Sequence, residues 1–359
     1  VLDRGNKMFL AFEEIKKEKK RYGLIVLMIF LVSYLIFLLS SLAIGLQNEN
    51  TQAIDSWGIQ RVVLNKNANI SMPQSILTNK DTTDAKIGKK ESVIGQLPVV
   101  VKAAGRSSLT AQFLGVKKGQ FIYQDQQLVA GRRAQKSDEV TVDETFKTVN
   151  HYRLGDKLEL NISGQKYKIV GFVKGAKINM LPIIYGDLSV WQTARQTVPD
   201  VTFSGIVSKD RHYTYTHLDA KTYSVKTFVN KLTGYAIQKT TFTLMIAFLF
   251  LISMVIIAVF LYILTLQKLH NFAVMRAQGI STRTLVNAVV SQSLLLTVTG
   301  VVLALLCMWL TISVLPAAVP MNFAPTIIIS GSCGMLITGI IGGLIPVRSI
   351  IKIDPAQTI

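Results

Sequence analysis

Few residues in this sequence have the types and spacing that catalysis or metal binding requires. His212 and His217 in the stretch "RHYTYTH" could share a metal ion, although unconnected surface histidines are the commoner arrangement. The stretch "IGKKES" contains Gly88 and Lys89 but lacks the first glycine of the phosphate-binding loop G-x-x-x-x-G-K-[ST]. Neither H-E-x-x-H nor G-x-S-x-G occurs. We therefore predict no hydrolase or redox centre, no metal site and no ATP binding by a P-loop in this chain.

The composition and charge distribution indicate an integral membrane protein. Half of the 359 residues are hydrophobic, and they concentrate in four blocks that contain almost no charge. The formal net charge of +18 would suit a nucleic-acid-binding protein, but no zinc-finger, helix-turn-helix or aromatic-basic RNA-binding motif is present. Basic residues beside apolar blocks are typical of the cytoplasmic ends of membrane helices. We expect membrane lipids, and no nucleic acid, among the partners.

Four apolar runs are long enough to cross a bilayer as helices, and one long polar segment separates the first two. The polar segment has short β-branched or alternating runs, such as "KLELNI" and "KYKIVGFV", which are typical of strands. The sequence therefore predicts an α-helical membrane protein with four transmembrane helices plus one extracytoplasmic α+β domain between helices one and two. The predicted transmembrane helices are residues 24–46, 240–266, 286–315 and 326–347, and the α+β domain is residues 47–239.

Positive charges determine the predicted orientation. Lysine and arginine concentrate in the N-terminal segment 1–23, in the loop 267–285 and in the tail 348–359, whereas the short external loop 316–325 has no charge. We therefore predict a multi-pass protein of the plasma membrane, with cytoplasmic termini and an extracellular large domain.

The N-terminal segment 1–23 has the pattern of an amphipathic helix. Phe9, Phe12 and Ile15 lie on one helical face, and charged residues occupy the others. We expect this helix to lie on the inner membrane surface, either as an anchor alone or also as a contact for a cytoplasmic partner. Met8 is a plausible natural start, which would make the preceding residues upstream sequence.

The loop 267–285 also has a helical pattern. Leu269, Phe272 and Arg276 share one helical face, and Gly279 is a natural helix stop. The residue types fit two interpretations equally well. The segment could be a simple connector between two membrane helices, or a surface on which another protein docks.

The stretch "FAVMRAQGISTRTL" resembles the "E-x-R-A-x-G-A-S-x-x-x-I" segment between membrane helices two and three of FtsX/MacB-type (type VII) ABC transporter permeases. The match rests on Arg276, Ala277, Gly279 and Ser281. Val274 replaces a frequent acidic residue, and Ile280 replaces the usual alanine. The tail "GLIPVRSIIKIDPAQTI" is similar to the family's ending, and the order of one helix, a large outer domain and three helices is also the family's. The resemblance therefore covers nearly the whole chain.

This resemblance implies a permease subunit without catalytic residues or an intrinsic cofactor. Two copies would pair with two copies of a separate cytoplasmic ABC ATPase, which would bind ATP and Mg²⁺. In this family the outer domain and the helices move together when the ATPases dimerise, a mechanical transmission. The loop 267–285 would be the coupling helix, with the ATPase-coupling residues Phe272, Met275, Arg276 and Gly279.

The length and the start "MFLAFEEIKKEKKRYG" resemble the HrtB-like branch, the haem-efflux permeases of Gram-positive bacteria, which implies haem as the substrate. A haem site needs an apolar slot, an axial ligand and a cation for the propionates. Tyrosine, lysine and methionine near a membrane surface also have ordinary structural roles. Tyrosine is common at the interface, lysine extends its charge toward water, and methionine fills gaps in apolar helices. The alternatives are export of a peptide, lipid or antibiotic, an FtsX-like regulator of a cell-wall hydrolase, and a ligand-sensing subunit. The candidate haem-binding residues are Glu49, Tyr235, Lys239 and Met245.

Small residues in two predicted helices favour close helix packing. Gly339 and Gly343 form a G-x-x-x-G pattern in the fourth helix. We read this pattern, and a stripe in helix one, first as packing within the chain, although helix one could also line a permease dimer interface. The stripe consists of Ser33, Phe37, Ser40 and Ser41.

Overall fold

A computed structural model describes residues 19–162, 164–196, 198–316 and 319–347. The amphipathic pattern predicted before residue 19 and the predicted cytoplasmic tail 348–359 lie outside the described residues. The chain divides into two compact units, each with its own core. We call residues 45–239 the sheet unit, and the described residues on either side of it the helical unit.

Four of the helices are long and apolar enough to cross a membrane, as judged by their length and composition. These are α1, α6, α8 and α9 of the following series. The helices are α1 (Lys19–Trp57), α2 (Phe121–Gln124), α3 (Thr145–Thr148), α4 (Leu188–Ala194), α5 (Val225–Asn230), α6 (Tyr235–Gln267), α7 (Leu269–Ala277), α8 (Thr282–Val314) and α9 (Pro325–Leu344). Together with the sheet unit between α1 and α6, they confirm the predicted fold class.

Helix α1 continues well beyond residue 46, where its apolar run ends. Ala53, Ile54 and Trp57 in this continuation are 0%, 2% and 5% exposed and belong to the core of the sheet unit. They lie on one helical face, so their burial stabilises turns of helix that hydrophobicity alone does not indicate. Helix α6 likewise begins at Tyr235, ahead of the charge-free run.

Glycines bring α8 and α9 into close contact. A Cβ atom on Gly339 would lie 2.4 Å from the Oγ1 atom of Thr297, and one on Gly343 would lie 2.8 Å from the Cβ atom of Ser293. The Ser293 hydroxyl donates a hydrogen bond to the Gly339 carbonyl at 2.6 Å. The G-x-x-x-G pattern is therefore a contact between two helices of the same chain, as small-residue patterns in membrane helices commonly are.

The small-residue stripe of α1 also packs inside the helical unit. Ser33, Phe37 and Ser41 are fully buried, whereas Ser40 is partly exposed. The Phe37 ring occupies the space beside Gly331 of α9, where an added Cβ would lie 2.6 Å from it. This buried part of the stripe is therefore not available to line an interface with a second copy.

The sheet unit is built on one large mixed sheet, in the order β13-β1-β12-β3-β4-β10-β6-β8-β5. Strand β10 is parallel to β4, and β6 is parallel to β8, while the other neighbouring pairs are antiparallel. The strands are β1 (Arg61–Asn65), β2 (Leu77–Thr78), β3 (Glu91–Lys102), β4 (Leu109–Val116), β5 (Leu128–Gly131), β6 (Glu139–Asp143), β7 (Lys157–Leu160), β8 (Lys166–Val173), β9 (Lys177–Ile178), β10 (Leu181–Asp187), β11 (Val201–Phe203), β12 (Gly205–Ser208) and β13 (Ala220–Ser224).

Both faces of the large sheet are covered. Phe113 and Leu114 are consecutive in β4, yet they bury in different clusters, because successive side chains of a strand point to opposite faces. Trp191 of α4 joins the first cluster, while Trp57 of α1 and Phe228 of α5 join the second. The continuation of α1 therefore supplies part of the core of the sheet unit.

An ion pair between the half-exposed Arg132 and the buried Glu139 closes the loop before β6. The Arg132 guanidinium donates hydrogen bonds to both carboxylate oxygens of Glu139, at 2.7 and 2.5 Å. The backbone N–H of Gln135 donates to the same carboxylate at 2.9 Å. Glu139 is only 6% exposed. The bond from Arg132 is the main reason that the pKa of Glu139 is lowered to about 2.

We expect Glu139→Gln to lower the free energy of unfolding of the sheet unit by about 1–2 kcal/mol at neutral pH, since a charge-assisted bond to a half-exposed arginine is lost. Because the pKa is depressed by folding, the parent keeps this stabilisation above about pH 4.5 and loses it as the pH falls toward about 2. Hydrogen–deuterium exchange of peptides from β6 and β8, compared at each pH, measures the difference. Glu159→Gln is the control, and equal protection in parent and Glu139→Gln would contradict the prediction.

Candidate functional site

Helix α7 is the short helix between two membrane helices, α6 and α8. Its Phe272 and Ala273 side chains are 8% and 0% exposed and pack with Leu285 and Val289 of α8. This apolar contact holds α7 against the first turns of α8. Of the predicted coupling residues, Phe272 therefore lies inside the helical unit as an anchor of α7.

Gly279 ends α7 in a left-handed backbone conformation. Its φ is +88°, a region that glycine enters without the steric penalty of a side chain. Its N–H donates a hydrogen bond to the Arg276 carbonyl at 3.0 Å. Two residues later, the Ser281 hydroxyl accepts a hydrogen bond from the Thr284 N–H and caps α8. The turn between α7 and α8 is thus fixed by a glycine stop and a helix cap.

The exposed surface of α7 consists of polar residues and of residues with small side chains. Met275 and Arg276 are partly buried, so they lie at the edge of this surface rather than at its centre. Gly279 lies at its end and is exposed. The exposed residues within and directly after α7 are His270, Asn271, Ala277 and Gln278.

A polar cluster ties the start of α7 to two membrane helices. The hydroxyl of Tyr22, in α1, accepts hydrogen bonds from the Lys268 ammonium group at 2.7 Å and from the side-chain amide of Gln292, in α8. The Lys268 ammonium also lies 5.3 Å from the centre of the Tyr22 ring, within the range of a cation–π contact. Lys268 is the residue that directly precedes α7. We call Tyr22, Lys268 and Gln292 the coupling triad.

Sequence reasoning did not assign a role to the coupling triad. Tyr22 and Gln292 are 1% and 6% exposed, so both polar groups are enclosed by apolar helices. A polar side chain inside a membrane helix is a functional candidate, and Gln292 is one of several polar residues in the sequence of α8. Its partner Tyr22 is 270 positions away in the sequence, and Lys268 is 246 positions from Tyr22, so periodicity does not connect them.

Glu49 is not an open carboxylate. It lies in the continuation of α1 and forms an ion pair with Lys177, at the start of β9, and the two side chains are 21% and 15% exposed. The hairpin between β9 and β10 turns through Asn179 and Met180, which both have positive φ angles, as a two-residue hairpin turn requires. The N–H of Met180 donates a hydrogen bond to the Glu49 carbonyl at 3.3 Å. Lys177 is thus a charged neighbour that the sequence pattern did not reveal.

Three of the candidate haem-binding residues, from α1 and α6, lie in the same part of the sheet unit. The side-chain amide of Asn50 donates a hydrogen bond to the Gln238 side chain at 3.0 Å. Glu49 and Lys239 are the immediate neighbours of these two residues in the sequence. Tyr235 is partly buried against the core that contains Trp57, while Lys239 is exposed. Glu49, Tyr235 and Lys239 therefore belong to adjoining segments of one unit.

Met245 lies elsewhere. It belongs to the helical unit, six residues beyond Lys239 in α6, and is 38% exposed. Its neighbours on the exposed side of α6 include Leu244 and Phe248, which are 54% and 61% exposed. Met245 is therefore part of an apolar helix surface.

No cluster of three or more His, Cys, Asp or Glu side chains that could hold a metal ion occurs among the described residues. His212 is exposed, and its backbone N–H donates to the Asp210 carboxylate at 2.9 Å. His217 lies beside Tyr215, with 6.3 Å between the ring centres. The two histidines are thus part of a surface loop of the sheet unit.

The chain is similar to known permeases over almost its whole length. Residues 243–355 match the family of FtsX-like permease C-terminal domains. A relative from Staphylococcus haemolyticus, named "Putative hemin transport system permease protein HrtB", is 24% identical over 355 residues, which are 98% of this chain and 99% of the relative. An uncharacterized ABC transporter permease of Mycobacterium tuberculosis is 22% identical over 368 residues, which cover 98% of each chain.

Solved structures include two distant neighbours of this chain. The periplasmic region of MacB from Actinobacillus actinomycetemcomitans covers 47% of this chain and 92% of its own, with 16% identity and a TM-score of 0.35. The extracellular domain of the transporter YknZ from Gram-positive bacteria covers 42% and 81%, with 12% identity and a TM-score of 0.31.

The fold and the full-length relatives agree on one class of protein. In the sequence, the sheet unit is inserted between the first and the second of four membrane-type helices. The last three of these helices fall within or overlap the matched residues 243–355. The chain is similar over almost its whole length to ABC transporter permeases, and its residues 243–355 match the FtsX-like permease C-terminal domain.

Proposed function

We propose that the chain is the permease subunit of an efflux transporter that a separate cytoplasmic ATPase drives, and that its substrate is haem taken from the outer leaflet of the membrane. The similarity over 98% of the chain to permeases named for hemin transport carries this proposal. The assembly contains two copies of the permease and two copies of the ATPase. ATP and Mg²⁺ bind to the ATPase, and haem is a substrate rather than a resident cofactor.

The proposed orientation places α7 on the cytoplasmic side. Lys20 and Arg21 precede the apolar part of α1, Lys268 and Arg283 flank α7, and Arg276 lies within it. The described residues between α8 and α9 carry no charge. This asymmetry is the one that positions membrane proteins with their basic ends inside the cell. The sheet unit is then extracellular, and the protein lies in the plasma membrane.

The ATPase is proposed to dock on the exposed surface of α7. His270, Asn271 and Gln278 supply polar contacts on that surface, with Met275 and Arg276 at its edge. Because Phe272 anchors α7 to α8, a displacement of α7 moves α8 with it instead of being absorbed in a loose connection. The movement of the ATPases on ATP binding is thereby transmitted to the membrane helices.

The proposed haem site uses residues from α1, α6 and the hairpin between β9 and β10. Tyrosine is a known axial ligand of haem iron, which makes Tyr235 the candidate for that role in the sheet unit. Lys239 and Lys177 are the cations for the propionates, and Glu49 orients Lys177 through their ion pair. These assignments rest on the adjoining positions of Glu49, Lys177, Tyr235 and Lys239 in the sheet unit and on the chemistry of their side chains.

The test is a haemin titration of the full chain in lipid nanodiscs together with the ATPase subunit that copurifies with it. We expect a saturable shift of the Soret band and stimulation of ATP hydrolysis. Tyr235→Phe and Glu49→Gln should each weaken the apparent affinity at least tenfold, since the first removes the iron-binding oxygen and the second removes the carboxylate that orients Lys177. Tyr262→Phe, on the same helix α6, is the matched control and should behave as the parent.

Two results would overturn the haem assignment. One is a shift no larger than that of empty nanodiscs, with no effect of haemin on ATP hydrolysis. The other is stimulation of hydrolysis by a peptide, lipid or antibiotic instead of haemin, which would keep the permease and change its substrate. A copurifying protein without ATPase activity would reject the coupled-permease proposal itself.

A further inference from the structure

The sheet unit contains a surface hollow that the proposed transport function does not use. Its volume is about 430 Å³, which lies within the range of small-molecule sites, about 300–1,000 Å³. It lies between the end of α3, the turn that follows α3, and strand β8. Three basic and three apolar or aromatic residues supply its main lining: Lys147, His151, Arg153, Tyr152, Leu154 and Phe172.

The rim of the hollow is positively charged. Lys147 and Arg153 are exposed and form no ion pair with any described residue, and no acidic side chain lines the hollow. The nearby Arg106 differs, because its guanidinium is paired with the Asp156 carboxylate at 3.0 Å. The uncompensated charge therefore belongs to the side chains that line the hollow. A concave surface with basic groups of one sign attracts anions.

The base of the hollow is almost fully covered. Tyr152 and Phe172 are 3% and 2% exposed, and both belong to one core cluster of the sheet unit. The Tyr152 ring packs against Phe146 with 5.3 Å between the ring centres, and the Arg106 guanidinium lies 4.0 Å from the centre of the Tyr152 ring. The apolar surface open to a ligand is therefore supplied by Leu154, which is 46% exposed and forms one wall of the hollow.

The turn that carries the basic residues is held in one conformation. His151 has a φ of +56°, which is uncommon for a residue with a side chain. The N–H of Tyr152 donates to the Phe146 carbonyl at 2.8 Å, and the N–H of Arg153 donates to the Asp156 carboxylate at 3.0 Å. These two hydrogen bonds hold the backbone of the turn, and so they fix the position from which the Arg153 side chain extends.

We propose that this hollow is a binding site for a small organic anion with an apolar body. The anionic group lies between Lys147 and Arg153, and the apolar body rests against Leu154. Charge complementarity and this apolar wall select this class of ligand over neutral or cationic molecules of the same size. The proposal is independent of the transported substrate, since none of these residues belongs to the proposed haem site.

The test uses the full chain in lipid nanodiscs and two probes of one shape, the anion 1-naphthoate and the neutral 1-naphthalenemethanol. Saturation-transfer NMR, with empty nanodiscs subtracted, is expected to show saturable binding of 1-naphthoate and markedly weaker binding of the alcohol. The double variant Lys147→Glu/Arg153→Glu should weaken 1-naphthoate binding at least tenfold. Leu154→Trp should also weaken it, because the larger side chain fills the hollow without changing the charge.

The matched control is Lys117→Glu/Lys231→Glu, which changes the net charge equally at exposed lysines of the sheet unit that do not line the hollow. It should bind 1-naphthoate as the parent does. Hydrogen–deuterium exchange shows whether each variant keeps the sheet unit folded. The proposal is overturned if the parent binds no more 1-naphthoate than empty nanodiscs. It is equally overturned if the control double variant loses as much binding as the rim variant, since attraction by the overall charge would then explain the signal.

Discussion

Gly300→Val is expected to destabilise the helical unit by about 3 kcal/mol, the upper end of the usual range for overpacking a core. A Cβ atom at Gly300 of α8 would lie 2.6 Å from the Cγ2 atom and 3.0 Å from the Cβ atom of Ile29, and 3.1 Å from the backbone nitrogen of Phe30. The last two atoms are fixed to the backbone of α1. Rotation of a side chain therefore cannot relieve the contact, and α1 and α8 must move apart.

The measurement is the midpoint of thermal unfolding of the detergent-solubilised chain, followed by size-exclusion chromatography with fluorescence detection. Gly23→Val is the matched control, because Gly23 is also helical and an added Cβ there meets no atom within 4 Å. The control should keep or slightly raise the midpoint, since valine has a better helix propensity than glycine. Equal midpoints for Gly300→Val and Gly23→Val would show that the α1–α8 contact is looser than described.

The sequence predicts where membrane helices lie better than it predicts where they end. Uncharged runs identify α1, α6, α8 and α9, because the bilayer imposes length and composition directly. The continuation of α1 past residue 46 depends instead on Ala53, Ile54 and Trp57 reaching the core of the sheet unit. That burial is a tertiary effect, and a polar segment such as "LQNENTQAIDSW" does not reveal it.

The order of the strands was beyond sequence reasoning for a similar reason. Alternating and β-branched runs mark strands such as β7 and β8, but nothing local places β10 between β4 and β6.

The candidate sites likewise depend on residues that are distant in the sequence. Residue types selected Glu49, whereas its partner Lys177 is 128 positions away and is brought to it by the hairpin between β9 and β10. In α7, the sequence placed Phe272 among the residues that contact the ATPase. In the structure Phe272 is buried against α8, whereas His270, Asn271 and Gln278 are exposed.

The second large effect is expected from a substitution in the coupling triad. We expect Tyr22→Phe to reduce substrate transport per ATP hydrolysed about tenfold while the permease still assembles with its ATPase. The substitution removes one oxygen, the shared acceptor for Lys268 and Gln292, from a buried position. Loss of hydrogen bonds to a buried group is worth about 1–3 kcal/mol, and 1.4 kcal/mol corresponds to a tenfold change. The link from α1 to the start of α7 is thereby weakened, so ATPase movement is transmitted less completely.

Tyr34→Phe separates this mechanism from a general loss of hydrogen bonding. Tyr34 is also in α1, and its hydroxyl pairs with the Thr311 hydroxyl of α8 at 2.9 Å, so both variants lose a bond between the same two helices. Only Tyr22 also binds Lys268, the residue that begins α7. If coupling depends on holding α7, transport per ATP falls in Tyr22→Phe and stays near the parent value in Tyr34→Phe, with similar unfolding midpoints. Equal losses in both variants would assign the effect to α1–α8 packing, and the transmission of motion would then not require the coupling triad.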